Sequence, residues 1–251
     1  MVELAQIVSF LDRELNGAAI ADYPGAMNGL QLTNGGHVGR IIAAVDASLP
    51  VIEAAAAGGA GLLVVHHGMF WQGAQPVTGA WYRKLKTAMD AGLAVYSSHL
   101  PLDVHPQWGN NILLARAIGL IDPQPFFEQN GRCLGLRGAW TGSRNDLVDI
   151  LEKSLGGPVH VCPGGPNAPT SVGLITGGAG SEVAKVAAAG VDTFITGEGP
   201  HWSYPMAEEL GVNLIYGGHY ATETFGVNAL AQALGDHFKL PWSFVDRPTG
   251  L

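Results

Sequence analysis

Residues 56–65 read Ala-Ala-Gly-Gly-Ala-Gly-Leu-Leu-Val-Val, and residues 187–196 read Ala-Ala-Ala-Gly-Val-Asp-Thr-Phe-Ile-Thr. Each stretch leads from the end of an Ala-rich helix through a Gly turn into a short apolar strand. The pattern recurs at residues 91–96, Ala-Gly-Leu-Ala-Val-Tyr, and at residues 210–215, Leu-Gly-Val-Asn-Leu-Ile. Apolar strands that alternate with helices predict an α/β protein whose mostly parallel sheets are covered on both faces.

The patterns on either side of these stretches follow the same order in both halves, α-β-β-α-β-α-β-α. Ala- and Gly-rich βα units can resemble one another by composition alone. However, His99-x-x-x-Asp103 follows a strand of the first half, and His219-x-x-x-Glu223 follows the matching strand of the second. We therefore expect two duplicated α/β repeats with mostly parallel sheets, at residues 1–128 and 129–251, folded either as two repeats or as one compact unit.

Serine residues stand before three of the predicted helices and are candidates for their N-caps, because a serine hydroxyl accepts a hydrogen bond from the first helical turn. These residues are Ser48, Ser143 and Ser181.

The composition restricts the class of protein. The chain has 251 residues, 47% of them hydrophobic and only 14% charged, with a net charge of −8. Such hydrophobicity excludes intrinsic disorder, and so few charges predict that a second subunit covers part of the surface. The acidic balance argues against nonspecific binding to nucleic acid. Cys133 and Cys162 form neither a disulfide framework nor a metal-binding spacing, which favours a reducing compartment.

The first residues and the hydropathy predict a cytoplasmic protein. Residues 1–11 contain Glu3 and lack the basic region of a secretory signal. Polar residues interrupt the longest apolar stretch, at residues 41–65, so it does not reach the roughly 20 residues of a membrane-spanning helix.

Four loops that directly follow predicted strands contain six of the nine histidines. In α/β sheets, ligands bind beside the carboxyl ends of the strands. The polar residues of these loops are His66, His67, His99, Asp103, His105, Glu198, His201, His219 and Glu223. His37, His160 and His237 lie elsewhere, and we expect them at the surface.

Imidazoles and carboxylates without cysteine indicate a divalent metal such as Zn, Fe or Mn rather than a thiolate-rich structural zinc. The adjacent His66 and His67 point to opposite sides of an extended backbone, so each could bind one of two ions, with Glu223 as a bridge. The alternative is structural: a His-His pair can simply end a strand, and an acidic residue can simply begin a helix.

Other groups in these loops suit proton transfer or phosphate binding. Glu198 and His99 are the candidate acid/base residues, although each could instead be a turn residue or a loop hydrogen-bonding group. His201 is a weaker acid/base candidate beside Glu198, whereas His105, like His99, could orient a metal ligand or hydrogen-bond within its loop. The stretch 176–182, Thr-Gly-Gly-Ala-Gly-Ser-Glu, could hold a phosphate, but a tight turn between a strand and a helix is the favoured interpretation.

Together these motifs resemble the Nif-three-like family, whose members are often called GTP cyclohydrolase I type 2 homologues. The resemblance is carried by Asn-Gly-Leu-Gln-Leu at 28–32, Leu-Val-Val-His-His-Gly-Met-Phe-Trp-Gln-Gly at 63–73, Ser-His-Leu-Pro-Leu-Asp-Val-His at 98–105, Thr-Gly-Glu at 196–198 and Gly-Gly-His-Tyr-Ala-Thr-Glu at 217–223.

The resemblance implies two intertwined repeats with a dinuclear metal site between them, and a ring-shaped hexamer. It implies the metal ligands His66, His67, Asp103, His219 and Glu223. The implied function is a metal-dependent hydrolase in which hydroxide on two divalent ions attacks a nucleotide-like substrate, while Glu198 or His99 transfers a proton. The alternative is a non-catalytic metal-binding, metal-delivery or regulatory protein. The net charge of −8 counts mildly against GTP as the natural substrate.

Overall fold

The computed structural model describes residues 1–59 and 61–251, and their contacts divide the chain into two units. The first unit comprises Met1–Leu102 and Gly226–Arg247, and the second comprises Asp103–Phe225 and Pro248–Leu251. Each unit is thus built from two separate chain segments, as expected for intertwined halves. The repeat limits 1–128 and 129–251 stay a prediction, because a division by contacts does not measure where a duplicated sequence begins.

The first unit is an α/β unit with a mixed sheet. Its helices are α1 (Leu4–Leu15), α2 (Leu49–Ala57) and α3 (Gly79–Asp90), and its strands are β1 (Val2–Glu3), β2 (Gly29–Leu32), β3 (His37–Val38), β4 (Ile41–Asp46), β5 (Leu62–His67), β6 (Ala94–Ser97) and β13 (Trp242–Phe244). The sheet order is β13-β4-β5-β6-β2, in which only the pairing of β2 with β6 is antiparallel. β1 and β3 form a separate short pair.

The second unit has a larger mixed sheet. Its strands are β7 (Ile121–Gln129), β8 (Arg132–Ala139), β9 (His160–Pro163), β10 (Ser171–Leu174), β11 (Thr193–Thr196) and β12 (Asn213–Tyr216), and its helices are α5 (Asn110–Ala117), α6 (Arg144–Leu155), α7 (Val183–Ala188), α8 (Ser203–Leu210) and α9 (His219–Thr222). The sheet order is β7-β8-β10-β11-β12-β9, with β10, β11 and β12 parallel. The chain passes between the units in α4 (Leu100–Asp103), in α10 (Thr224–Phe238) and again between Arg247 and Pro248.

Both sheets contain the same arrangement of four strands. Three parallel strands run in chain order, and a strand from earlier in the chain pairs antiparallel with the third: β4-β5-β6-β2 and β10-β11-β12-β9. The central strands are apolar because helices cover both faces; Leu62–Val65 are fully buried. The shared arrangement agrees with the predicted duplication.

One of the three predicted serine caps is confirmed. Ser143 and Asp146 form a capping box at α6, in which Ser143 Oγ accepts from the Asp146 N–H at 3.1 Å. Ser48 stands at the predicted N-cap position of α2, but the predicted cap hydrogen bond is wrong, since the Ser48 side chain makes none. Pro50 follows in the first turn and has no N–H to donate.

The prediction for Ser181 is also wrong. This serine lies inside the 3-10 turn Gly180–Glu182, and α7 begins only at Val183 without a side-chain cap.

The strands β1, β7 and β13 were not predicted from the sequence. β13 has only three residues, yet it pairs parallel with β4, in the register Trp242↔Ile41. β7 contains Pro123 and Pro125 and reads poorly as a strand, although the Asn130-Gly131 turn that joins it to β8 is a typical hairpin signal. Among the described residues, no helix is both long and apolar enough to cross a membrane.

Candidate metal centre

Three histidines of the first unit lie together where two neighbouring strands end. His66 and His67 are the last residues of β5, and His99 follows β6, which pairs parallel with β5. One ring nitrogen from each histidine lies within 4.8 Å of those of the other two, a grouping that could hold a metal ion. The parallel pairing brings the three residues together, because the carboxyl ends of adjacent parallel strands share one edge of the sheet.

Each of these rings is held at Nδ1 by an oxygen. His66 Nδ1 lies 2.9 Å from the carbonyl oxygen of Ser98, and His67 Nδ1 lies 2.9 Å from Asp46 Oδ1. His99 Nδ1 lies 2.8 Å from Asp22 Oδ1. An oxygen acceptor selects the tautomer with hydrogen on Nδ1, which leaves the lone pair on Nε2. Histidines that bind metals are oriented in this way.

Asp22 is the hydrogen-bond acceptor that organises the His99 loop. Its carboxylate accepts from His99, from the Asn28 side chain and from the backbone N–H groups of Leu100 and Tyr23. Burial raises the pKa of Asp22, but the hydrogen bond and charge of His99 and the bonds from Asn28 and Tyr23 outweigh it and lower the pKa. Asp22 is therefore ionised near neutral pH and keeps His99 in place.

In the second unit, His219 bridges two carboxylates. Glu198 follows β11, and His219 follows the neighbouring strand β12 after two glycines. His219 Nδ1 lies 2.8 Å from Glu198 Oε1, and His219 Nε2 lies 3.2 Å from Glu223 Oε1. Burial lowers the pKa of His219, but the hydrogen bonds and charges of Glu223 and Glu198 outweigh it and raise the pKa to about 9. A metal ion that binds Nε2 must therefore displace a proton at neutral pH.

Asp103 is a second buried carboxylate close to Glu223. Its carboxylate is 7% exposed and lies within 4.8 Å of the Glu223 carboxylate, which is 2% exposed. Asp103 Oδ1 accepts from Asn110 Nδ2 at 2.8 Å and from Thr176 Oγ1 at 3.3 Å. Two buried carboxylates this close to each other repel, so a cation bound beside them would relieve the repulsion.

Glycines make room for these acidic side chains. Gly177 has φ +72°, and a Cβ there would overlap Glu223 Oε1. A Cβ at Gly197 would lie 2.6 Å from the Gly177 carbonyl oxygen and 2.7 Å from His219 Cα. The Gly-rich stretch 176–182 therefore forms a tight turn, as favoured from the sequence, and its backbone lies against Glu223 and His219.

The sequence profile of the Duf34/NIF3 (NGG1p interacting factor 3) family matches residues 2–249, which is nearly the whole chain. The chain belongs to the Duf34/NIF3 family. The resemblance drawn from the motifs is thus confirmed.

Relatives of this NIF3 family member cover most of its length. A GTP cyclohydrolase 1 type 2 homolog of Deinococcus radiodurans is 43% identical over 235 residues, covering 92% of this chain and 89% of the relative. One of Pyrococcus horikoshii is 39% identical and covers 98% of each chain. Among solved structures, the protein TTHA1606 from Thermus thermophilus matches with a TM-score of 0.92, 37% identity and full coverage of both chains. The α/β fold with mixed sheets is therefore the fold of the family.

Hydrogen bonds and exposure in this NIF3 family member also separate the stronger histidine candidates from the weaker ones. His105 Nδ1 accepts the backbone N–H of Gln107 at 3.2 Å and that of Trp108 at 3.0 Å, so it is a loop hydrogen-bonding group. His201 is exposed, and so are His37, His160 and His237.

The two predicted acid/base residues stand in different surroundings. His99 lies among the candidate metal-binding imidazoles, whereas Glu198 holds the Nδ1 atom of His219. Sequence reasoning missed Asp22 and Asp46, the two acids that hold His99 and His67. Asp46 could have been found, because it is the last residue of a buried strand beside the strand that ends in His67.

Proposed function

We propose that this NIF3 family member is a divalent-metal-dependent hydrolase that acts on a nucleotide-like substrate and takes two metal ions per chain. The proposed ligands are His66 and His67 in the first unit and Asp103, His219 and Glu223 in the second. One observation carries the proposal: each of the three proposed histidine ligands, His66, His67 and His219, is held at Nδ1 by an oxygen. An oxygen partner at Nδ1 fixes the ring orientation and leaves Nε2 to bind a metal.

The chemistry of the donors suits Zn, Fe or Mn. Imidazole nitrogens and carboxylate oxygens are the ligand types that these ions take, and His66, Asp103 and Glu223 are each at least nine-tenths buried. Buried carboxylates are paired or coordinate metals, because an isolated buried charge is unfavourable. Bound divalent ions would supply Lewis acidity and would lower the pKa of a bound water.

The residues of the chain would orient the ligands and move protons. Asp46 and Glu198 hold the rings of His67 and His219, so they act as positioning residues. His99 is the favoured group for proton transfer, because the ionised Asp22 holds its Nδ1–H and leaves Nε2 to exchange a proton. Glu198 is the second candidate, since its side chain is 42% exposed and a substrate could reach it. The nucleotide-like substrate is proposed from the names of the relatives.

We also propose that the chain assembles into a homo-oligomer, with the hexamer of the resemblance as the expected form. Large apolar side chains at the surface support this, among them Met27 and Met89, which are 54% and 59% exposed. Sedimentation at micromolar concentration tests it. A stable 26.2 kDa monomer would contradict it.

Metal analysis followed by a nucleotide screen tests the function. Protein loaded with Zn, Fe, Mn or Mg is expected to keep two ions per chain and to hydrolyse a nucleotide. Glu223→Ala is expected to lose both metal and activity, whereas Glu209→Ala, an exposed glutamate of α8, should keep both.

Two results would overturn the proposal. Nucleotide hydrolysis by metal-free Glu223→Ala would place the activity elsewhere. Two bound ions without turnover of any nucleotide would instead favour a metal-delivery or regulatory protein.

A further inference from the structure

We propose that a cavity of the second unit binds a phosphate-bearing small molecule with a flat apolar ring. The cavity has a volume of about 520 Å³ and is bounded by the β7–β8 hairpin and the segment that follows α4. Small-molecule sites usually span roughly 300–1,000 Å³. The inference deepens the proposed function, because Asp103, a proposed metal ligand, forms part of the cavity wall. It rests on the proposed function in this respect alone.

One wall of the cavity offers hydrogen-bond donors. His105 Nδ1 accepts the backbone N–H groups of Gln107 and Trp108, which selects the tautomer with hydrogen on Nε2. The ring stacks on Trp108 with centroids 4.6 Å apart and planes 5° from parallel, which fixes its orientation. The ring of His105 is therefore a rigid part of the cavity wall.

Arg132 lines the same cavity and supplies a permanent positive charge. The chain has only 13 lysines and arginines against 21 acidic residues, so an arginine in a cavity wall is a selective feature. A planar guanidinium recognises phosphate through paired hydrogen bonds. The charge of the opposing carboxylate, Asp103, is partly balanced by the bonds that it accepts from Asn110 and Thr176.

The rest of the wall is apolar. Pro123 and Pro125 come from β7, the outermost strand of the sheet, and Leu134 and Leu136 come from β8. Proline on an edge strand offers a flat apolar face without an N–H group. A ring stacked on these residues would lie in the same cavity as Arg132 and His105. A nucleotide has this combination of parts.

Titration calorimetry on metal-free protein tests the cavity with GTP and with guanosine, which lacks the phosphates. GTP is expected to bind at least tenfold more tightly than guanosine. Arg132→Gln should weaken GTP binding about tenfold, because a hydrogen bond to a charged group is lost. Arg132→Lys keeps the charge and should lose less. The matched control is Arg13→Gln, an exposed arginine outside this unit, which should change nothing.

The alkylation rate of Cys133 tests whether the ligand occupies the cavity, without any substitution in the protein. This half-buried thiol lines the cavity, whereas Cys162 is fully buried and burial raises its pKa. Saturating GTP is expected to slow the alkylation of Cys133 by iodoacetamide and to leave the slow reaction of Cys162 unchanged.

The results separate this inference from the proposed function. Equal affinity for guanosine and GTP, full affinity in Arg132→Gln, or unprotected Cys133 with GTP bound would each overturn the phosphate-binding cavity. If GTP protects Cys133 in a protein that binds no metal under any condition, the cavity stands and the hydrolase proposal fails.

Discussion

The two units present a histidine at the end of a parallel strand in the same way, but they surround it differently. His67 and its partner Asp46 are 21 residues apart, and His219 and its partner Glu198 are also 21 residues apart. In each unit the acid stands at the end of one strand and the histidine at the end of the next. One strand–helix–strand unit therefore suffices to bring an acid to a ring nitrogen.

The units differ in the side chains that surround the paired acid and histidine. The first unit adds two more imidazoles, His66 and His99, and forms a cluster of histidines. The second adds the buried carboxylates of Asp103 and Glu223, and glycine backbone packs against the latter. The repeated frame thus positions one anchored histidine in each unit, while the neighbouring residues decide whether nitrogen or oxygen donors surround it.

A side chain added at Gly177 should reduce metal binding more than any other change considered below. In Gly177→Ala the new Cβ overlaps Glu223 Oε1, so we expect loss of bound metal together with a lower free energy of unfolding. Gly156→Ala is the matched control, because Gly156 has φ +73° but open space around it. It should cost only the backbone strain, about 1–2 kcal/mol, and keep the metal. Metal retention in both variants would show that the Glu223 position is unimportant.

Substituting Asp46 and Glu198, the acids that hold the rings of His67 and His219, compares the metal affinity of the two units. Asp46→Asn and Glu198→Gln each remove the charge behind a ring nitrogen and should weaken metal binding about 10–100-fold. Their side chains are 36% and 42% exposed, so we expect effects of similar size. Competition with a chelator measures the affinity, with the exposed Asp90→Asn as control. An effect from only one anchor would mean that only that unit holds an ion tightly.

The raised pKa of His219 predicts a pH dependence in metal-free protein. Its pKa is about 9 in the folded state against an ordinary value of 6.5. The stabilisation is therefore complete below pH 6.5, falls as the pH rises, and is lost above about pH 9. Urea unfolding of wild type and His219→Gln across this range should show a difference that shrinks as the pH rises. A constant difference would contradict the prediction.

The smallest effect distinguishes two helix starts. Ser143→Ala at α6 removes a capping box and should cost about 1 kcal/mol of the free energy of unfolding. Ser48→Ala at α2, where the serine side chain makes no cap bond, should cost clearly less. Thermal unfolding of the two variants measures the difference. Equal losses would mean that the hydroxyl of Ser48 also caps its helix.

Local sequence patterns predicted much of the secondary structure, because they depend on residues that are close together in the sequence. The apolar strands 62–65 and 193–196, with a turn before each and polar residues after each, showed the α/β class and the loops that contain the candidate ligands. β13 escaped prediction because three residues have no period, and their pairing with β4 joins segments about 200 residues apart. β7 escaped because its prolines argue against a strand, yet an edge position tolerates them.

Residue types in ordered motifs were enough to show the family and the α/β architecture and to suggest the candidate metal ligands. Only the tertiary structure decided which oxygen holds each histidine ring, where glycine backbone lies against Glu223, and which residues line the cavity beside Asp103. Asp22 and His99 are 77 residues apart, and nothing in the local pattern of either segment announces their hydrogen bond. The physical reason is that such contacts arise when separate segments pack, after the local patterns have already formed the strands and helices.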